Sequence, residues 1–326
     1  MFPGFHMDIK KVLLLGGSGF VGTYIANRLS QRGIEVTIPT RRRERTKALI
    51  IQPGVEMPQA DIYCEATLAN LMRGHDAVIN LVGILHSRDV VLPYSRDFAQ
   101  AHVELPKKIV AACKATGVRR LLHMSALNAD PKGPSEYLRS KGDGEAIILA
   151  AKGELDVTVF RPSVIFGLGD SFLSMFASVL KKVPFFPLGF GHARFQPVWV
   201  ADVADAFVDS LGDASTYGQT YELVGPKIYT LRELVDYTKD LTGSTATIIP
   251  LSEGWAYLQA GLMWLAPSPM LSPDNLRSME KDSVCEGTWN APAQWRPTAL
   301  ESIAPTYIAL NTPKGKLDGF RYRAGR

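Results

Sequence analysis

The sequence is poor in the residues that staple or metallate a small fold, with three cysteines and six histidines in 326 residues. Cys64, Cys113 and Cys285 are far apart, odd in number and without CxxC spacing, which excludes a disulfide framework and a zinc knuckle. They read as small buried residues in a reducing compartment. His75, His86, His102, His123 and His192 are scattered with no HxxxH pattern, so no metal site is expected. Long apolar runs are missing too: nothing approaches the roughly 20 residues of a transmembrane segment. No charge sign dominates. Lys plus Arg number 36 against 32 Asp plus Glu, a net +4, and the charges mix along the chain apart from one early arginine run. This speaks against a nucleic-acid-binding protein. Met1 to Met7 lacks the charged flank and apolar core of a signal peptide. Residues 1–10 are expected to be a lead-in, and the protein cytoplasmic.

What is present is an ordinary globular composition, 46% hydrophobic and 21% charged, in a chain long enough to bury a core without staples. From Lys11 onward, short apolar runs alternate with helix-like segments, the signature of βαβ units. The runs are Val12 to Leu15, Val36 to Ile38, Ala77 to Val82, Val118 to Met124 and Val157 to Arg161, with a weak one near Val55. Strands so uniformly apolar are buried on both faces. The fold class is therefore α/β, a Rossmann-type doubly wound parallel sheet of six strands with a smaller, mostly helical C-terminal domain. A Gly- and Phe-rich stretch, Phe166 to Phe195, breaks the rhythm, and Gln196 to Val224 reads as strand, helix and strand returning to the sheet. The sequence divides into 11–165 with 196–225 as the Rossmann domain, and 166–195 with 226–326 as the smaller one. Within the latter, Trp255 to Leu265 is an apolar helix, read as domain core or as an interfacial patch.

The strongest local signal is KKVLLLGGSGFVG, an apolar strand followed by Gly16, Gly19 and Gly22 and then a helical pattern. Glycines allow the tight turn and let the backbone approach a pyrophosphate, whose charge sits on the N–H groups and positive end of the helix. A bare glycine pattern also fits a tight turn with close helix–strand packing. Opening the first βαβ unit, it favours a nucleotide. An NAD site usually carries an acid about 20 residues after the first glycine, for the ribose hydroxyls. Here Val36 to Arg43 reads VTIPTRRR, with no acid and with Arg41, Arg42 and Arg43 in its place. Cations there suit a 2′-phosphate, so NADP(H) is favoured, with NAD(H) as the alternative and Arg41 as the best-placed contact.

Tyr137 and Lys141 form a Tyr-xxx-Lys pair at i, i+4 on one helix face. A lysine beside a phenol lowers its pKa and fits it for proton exchange. Together with the glycine loop, this pair makes the chain resemble the short-chain dehydrogenase/reductase superfamily in its extended or atypical branch. The blocks GGSGFVG, MSALNA, YLRSKGDGE, FRPSVIFGLGDSFL, FQPVWVADVADAF and YELVGP occur in this order in the respiratory complex I accessory-subunit family, the alpha subcomplex subunit nine type. They recur in its bacterial epimerase/dehydratase-like relatives. The resemblance covers roughly residues 10 to 280.

The resemblance implies Gly16, Ser18, Gly19, Phe20 and Gly22 on the pyrophosphate, Arg41 and Arg42 at the adenosine phosphate, and Asp61 with Ile62 flanking the adenine. It implies Leu81, Val82 and Gly83 along the cofactor, Tyr137 and Lys141 at the nicotinamide ribose, and Pro162, Ser163 and Val164 on the nicotinamide. The catalytic candidates are Tyr137, Lys141 and Ser125. Alignment with active relatives puts the substrate-holding hydroxyl one residue later, at Ala126, which removes a donor. The expectation is thus an NADP(H)-binding protein whose nucleotide is mainly structural or supports slow redox chemistry. The alternative is an active reductase, epimerase or dehydratase on a nucleotide sugar, or on an apolar isoprenoid or quinone precursor. The expected partners are a dinucleotide, an apolar small-molecule substrate, and a respiratory complex or membrane surface, with the protein peripheral at the inner membrane.

Overall fold

The computed structural model describes residues 8–41, 47–87, 92–266 and 270–309. Arg42, Arg43 and most of the expected lead-in lie outside the described residues. The chain divides into two compact units, Met1–Pro162 with Val203–Glu222 and Trp289–Trp295, and Ser163–Asp202 with Leu223–Thr288 and Arg296–Arg326.

In chain order the elements to Pro162 are β1 (Lys11–Leu15), α1 (Phe20–Gln31), β2 (Glu35–Thr37), α2 (Lys47–Ile50), β3 (Val55–Glu56), α3 (Glu65–Met72), β4 (Ala77–Asn80), α4 (Arg96–Phe98), α5 (Leu105–Thr116), β5 (Arg120–Met124), α6 (Glu136–Ala150) and β6 (Asp156–Pro162). Then follow β7 (Ile165–Phe166), α7 (Leu173–Leu180), β8 (Phe185–Leu188), β9 (Arg194–Phe195), β10 (Val198–Trp199), α8 (Val200–Ser210), β11 (Gln219–Leu223), β12 (Tyr229–Thr230), α9 (Leu231–Thr242), β13 (Thr247–Pro250), α10 (Glu253–Trp264), α11 (Pro273–Ser278) and α12 (Leu300–Ile308).

The first unit is built on a seven-stranded sheet in the order β11-β6-β5-β4-β1-β2-β3. From β3 to β6 every neighbouring pair is parallel. The six strands read from sequence are all there, and the returning segment supplies the seventh, β11. Val12 to Leu15 have no solvent exposure, which explains their unbroken apolar run. Because β1 is flanked by β2 on one side and β4 on the other, the strand order reverses at its carboxyl end. Doubly wound sheets open their binding crevice at this point.

Local chemistry sets the helix limits. α6 begins where the Ser135 hydroxyl accepts the Leu138 N–H at 3.1 Å, and α5 stops at Gly117, whose φ of 79° only glycine adopts cheaply. Between α4 and α5 the helix widens into a π segment, Ala99–Glu104; such bulges commonly sit at functional sites. The second unit has a separate core, with Phe166, Leu173, Phe176, Leu188, Leu234 and Ala260 among its buried members. Its three two-stranded sheets pair β10 with β7, β12 with β9 and β13 with β8.

A charge inside β5 escapes the apolar pattern. Arg120 is fully buried. Its guanidinium donates to the carbonyls of Leu211, Asp156 and Ser210 and to the hydroxyls of Thr158 and Thr216. It also lies 4.5 Å from the centre of the Tyr217 ring. Burial pushes its pKa down to about 10, still far above neutral, so the cation persists. Five acceptors from the segments beside β5 thus converge on one side chain. Arg120→Met leaves them without a donor, and we expect a loss of about 3 kcal/mol in urea unfolding; a change below about 1 kcal/mol would contradict this role.

Candidate functional site

Steric exclusion, tested by adding a Cβ, governs the loop between β1 and α1. At Gly22 it would come within 2.5 Å of the Gly17 Cα and 2.6 Å of the Gly16 carbonyl oxygen. At Gly16, whose φ is +80°, it would meet the Leu81 carbonyl carbon and the Val82 nitrogen at 3.1 Å. The backbone of the loop therefore presses against both α1 and the segment after β4, and no side chain fits there. The first turn of α1 carries no acid, and its leading N–H groups have no intrahelical acceptor. The turn that carries Gly16, Ser18, Gly19, Phe20 and Gly22 thus combines backbone N–H groups with a helix start, the chemistry an anion takes.

Beside it, the segments after β2 and β3 run together: the Thr40 N–H donates to the Pro58 carbonyl at 3.0 Å, and the Ala60 N–H to the Thr40 carbonyl at 3.2 Å. This brings exposed Arg41 to the same edge as Asp61 and Ile62. Asp61 accepts the Tyr63 N–H at 3.0 Å. The Arg41 charge also acts on the Tyr63 phenol, opposing the upward push of burial. This edge thus carries one cation, Arg41, and one carboxylate, Asp61, among the described residues.

The segment after β4 is pinned through its N–H groups. Leu81 donates to the Leu15 carbonyl at 2.9 Å and Val82 to the Asn80 side-chain oxygen at 3.1 Å. Ile84 donates to His102 Nε2, also at 3.1 Å. Accepting at Nε2 leaves the His102 proton on Nδ1, which donates to the Ser140 hydroxyl at 2.8 Å; that hydroxyl donates to the Tyr137 carbonyl at 3.0 Å. One relay of donors thus joins the loop Leu81, Val82, Gly83 to the helix that carries Tyr137 and Lys141. The Asn80 amide nitrogen faces His123 Nδ1 at 3.1 Å. Burial and the nearby Lys141 charge hold both imidazoles neutral, well below the usual histidine range. His102 belongs to the π segment, and its ring lies 5.7 Å from that of Tyr137.

Tyr137 and Lys141 share one face of α6, as their spacing requires, but Lys141 does not lower the phenol. Its ammonium donates to the Met124 carbonyl at 2.6 Å, and burial pushes its pKa down to about 8. Burial likewise pushes Tyr137 up to about 12, so desolvation outweighs the effect expected from the spacing. Ser125 donates its proton to Glu145 at 2.5 Å. Buried Glu145 is also clasped by Arg161, whose Nε lies 3.0 Å from both carboxylate oxygens and whose Nη2 also donates to it. Ala126 is buried beside Ser125 and offers no hydroxyl.

Pro162 ends β6, and its carbonyl accepts the Leu127 N–H at 2.9 Å. Ser163 and Val164 belong to the second unit. There the Ser163 hydroxyl donates to the Ser283 carbonyl at 2.8 Å, and Val164 packs against the core. Sequence reasoning missed Asn80, His102, Glu145 and Arg161. Glu145 is four residues after Lys141 and open to the same i, i+4 reading; the partners of His102 are 18 and 38 residues away, with no local signal.

The chain is similar to known proteins over much of its length. The NAD dependent epimerase/dehydratase family model matches residues 12–223. The mitochondrial NADH dehydrogenase (ubiquinone) 1 alpha subcomplex subunit 9 of Rattus norvegicus is 32% identical over 304 residues, 89% of this chain and 78% of that protein. Its Mus musculus counterpart is 34% identical over 245 residues, 73% of this chain and 63% of that protein. Among solved structures, a dTDP-glucose 4,6-dehydratase from Streptomyces venezuelae with NAD and TYD bound superposes with a TM-score of 0.72. It covers 94% of this chain and 98% of its own at 18% identity, and so speaks for the fold alone.

His102→Phe keeps the ring against Tyr137 and removes both hydrogen bonds. We expect it to weaken dinucleotide binding about tenfold in a fluorescence titration, the worth of one buried hydrogen bond. Unchanged affinity would mean that other contacts set the loop.

Proposed function

Because the chain belongs to the NAD dependent epimerase/dehydratase family and groups within it with the complex I alpha subcomplex subunit 9 proteins, we propose that it holds NADP(H) as a resident nucleotide that is mainly structural. The engagement of Ser125 carries this reading. A hydroxyl that donates its one proton to Glu145 cannot also donate it to a substrate oxygen, and Ala126 supplies no replacement. With Lys141 held on a backbone carbonyl and burial pushing the Tyr137 phenol further from ionisation, the pair is suited to hold the nicotinamide ribose in place rather than to exchange protons.

In this reading the cradle from Gly16 to Gly22 holds the pyrophosphate and Arg41 the 2′-phosphate, with Arg42 beside it in sequence. Asp61 and Ile62 flank the adenine, Leu81, Val82 and Gly83 line the middle, and Pro162 at the end of β6 meets the nicotinamide. The bound nicotinamide supplies hydride chemistry; the protein's own residues supply orientation and exclusion of water. The likeness to a respiratory subunit over 89% of the chain supports docking to a respiratory NADH dehydrogenase, at the inner membrane surface. A working reductase, epimerase or dehydratase is the competing reading, and it requires Ser125 to let go of Glu145.

Saturating NADPH, at about a hundred times its Kd, stabilises the fold by roughly 2.7 kcal/mol through mass action, readable as a rise in melting temperature. Arg41→Ala should weaken NADPH at least about tenfold and leave NADH within about twofold. Equal loss of both nucleotides would refute the phosphate contact. Tyr137→Phe, which removes the hydroxyl that holds the ribose, should weaken NADPH about fivefold to tenfold; measurable turnover by the wild type that vanishes in this variant, with affinity unchanged, would favour the enzyme reading.

A further inference from the structure

The outer face of α10 inverts the pattern of a surface helix. Its inner face buries Ala256 and Ala260 in the core of the second unit. The Cβ that Gly189 lacks would lie 2.3 Å from that of Ala256, so the helix lies tight against the end of β8. The opposite face exposes Trp255, Leu258, Leu262 and Leu265, at 65%, 52%, 64% and 74%. At 3.6 residues per turn these four fall within an arc of about 80°. The only charged residue of α10 is Glu253, at the N-terminal end, where the helix dipole favours an acid. A helix apolar on both faces belongs in a core or against an apolar phase, not in water.

The patch continues onto the neighbouring two-stranded sheet. Gln259 donates to the Pro187 carbonyl at 3.4 Å. In the register of β8 and β13, Ile249 stands opposite Pro187 and Thr247 opposite Phe185. Phe185 and Ile249 point outward, at 60% and 42% exposure. Exposed Lys181 and Lys182 precede Phe185 by a few residues and give this end of the patch a basic rim. No helix among the described residues is long and apolar enough to cross a membrane, and the 12 residues of α10 fall well short of the roughly 20 that spanning needs.

We infer that α10 with the outer face of β8 and β13 is a docking surface for an anionic phospholipid bilayer, on which the helix lies in the plane of the interface. Leucines enter the acyl boundary, Trp255 and Phe185 sit at headgroup level, and Lys181 with Lys182 meet the anionic headgroups. Charge favours a bilayer over a protein partner. The lysine pair complements an anionic surface, and along the arc only the Trp255 indole N–H offers a hydrogen bond, a group suited to headgroup level. This inference stands apart from the nucleotide reading, since none of its residues belongs to the cradle.

The test is sedimentation of the full chain with vesicles of phosphatidylcholine alone and of equal parts phosphatidylcholine and phosphatidylglycerol, at low and high salt. The wild type should pellet with the anionic vesicles and lose binding as salt rises. The double variant Leu258→Asp with Leu262→Asp should bind at least about tenfold more weakly. Its melting temperature and NADPH affinity, measured on the same sample, should match the wild type, so that a failure here is separable from a failure of the nucleotide proposal. Absence of the wild type from the anionic pellet, or equal pelleting of the variant, would overturn the inference. So would light scattering that finds a wild-type dimer dissolved by the variant, which assigns the face to a second copy.

Discussion

The first unit depends on a backbone contact: Gly22 in the first turn of α1 lies so close to Gly16 and Gly17 that a methyl group at that position would overlap them. The approach seats the positive end of α1 directly over the carboxyl end of β1, and Gly16 carries it on to Leu81 and Val82 of the next strand loop. Three chain segments meet there without any side chain between them. A glycine turn that leads into a helix start is the kind of backbone that can take an anion, and the parallel order of β2, β1 and β4 fixes where on the sheet it lies.

Around that contact the protein uses neutral polar groups to hold geometry and confines charge to the periphery. Asn80 and His102 capture two N–H groups of the loop after β4. His102 then hands its remaining proton to Ser140, at the centre of the Tyr137–Lys141 turn. Both buried imidazoles stay neutral because desolvation and Lys141 disfavour a second positive charge. One turn further along α6, Glu145 draws in Ser125 and Arg161. Ser125 and Lys141, two of the residues singled out in the sequence, are thereby engaged with Glu145 and with the Met124 carbonyl.

Much of this was legible in the sequence, for physical reasons. Strands buried on both faces are mostly apolar, so β1, β4, β5 and β6 stand out as apolar runs. The glycine spacing encodes a close approach that only the absence of a side chain permits. Arg120 was invisible because its five acceptors come from segments 36 to 96 residues away, and no local pattern announces that a charge inside a strand will be satisfied. His102 was passed over with the scattered histidines for the same reason. The Tyr137–Lys141 pair was located correctly in sequence, yet its electrostatics depend on burial and on the Met124 carbonyl, neither of which spacing conveys. The apolar helix from Trp255 was recognisable, but which of its faces is buried is decided by packing on Gly189.

The central claim is that the glycine cradle with Arg41 retains a phosphorylated dinucleotide as part of the folded protein. Native mass spectrometry of the freshly purified chain tests it most directly. The account predicts a complex heavier than the polypeptide by one NADP(H), which releases that nucleotide on denaturation. A chain that carries no nucleotide and gains none from added NADPH, or one that carries only NAD(H), would contradict it.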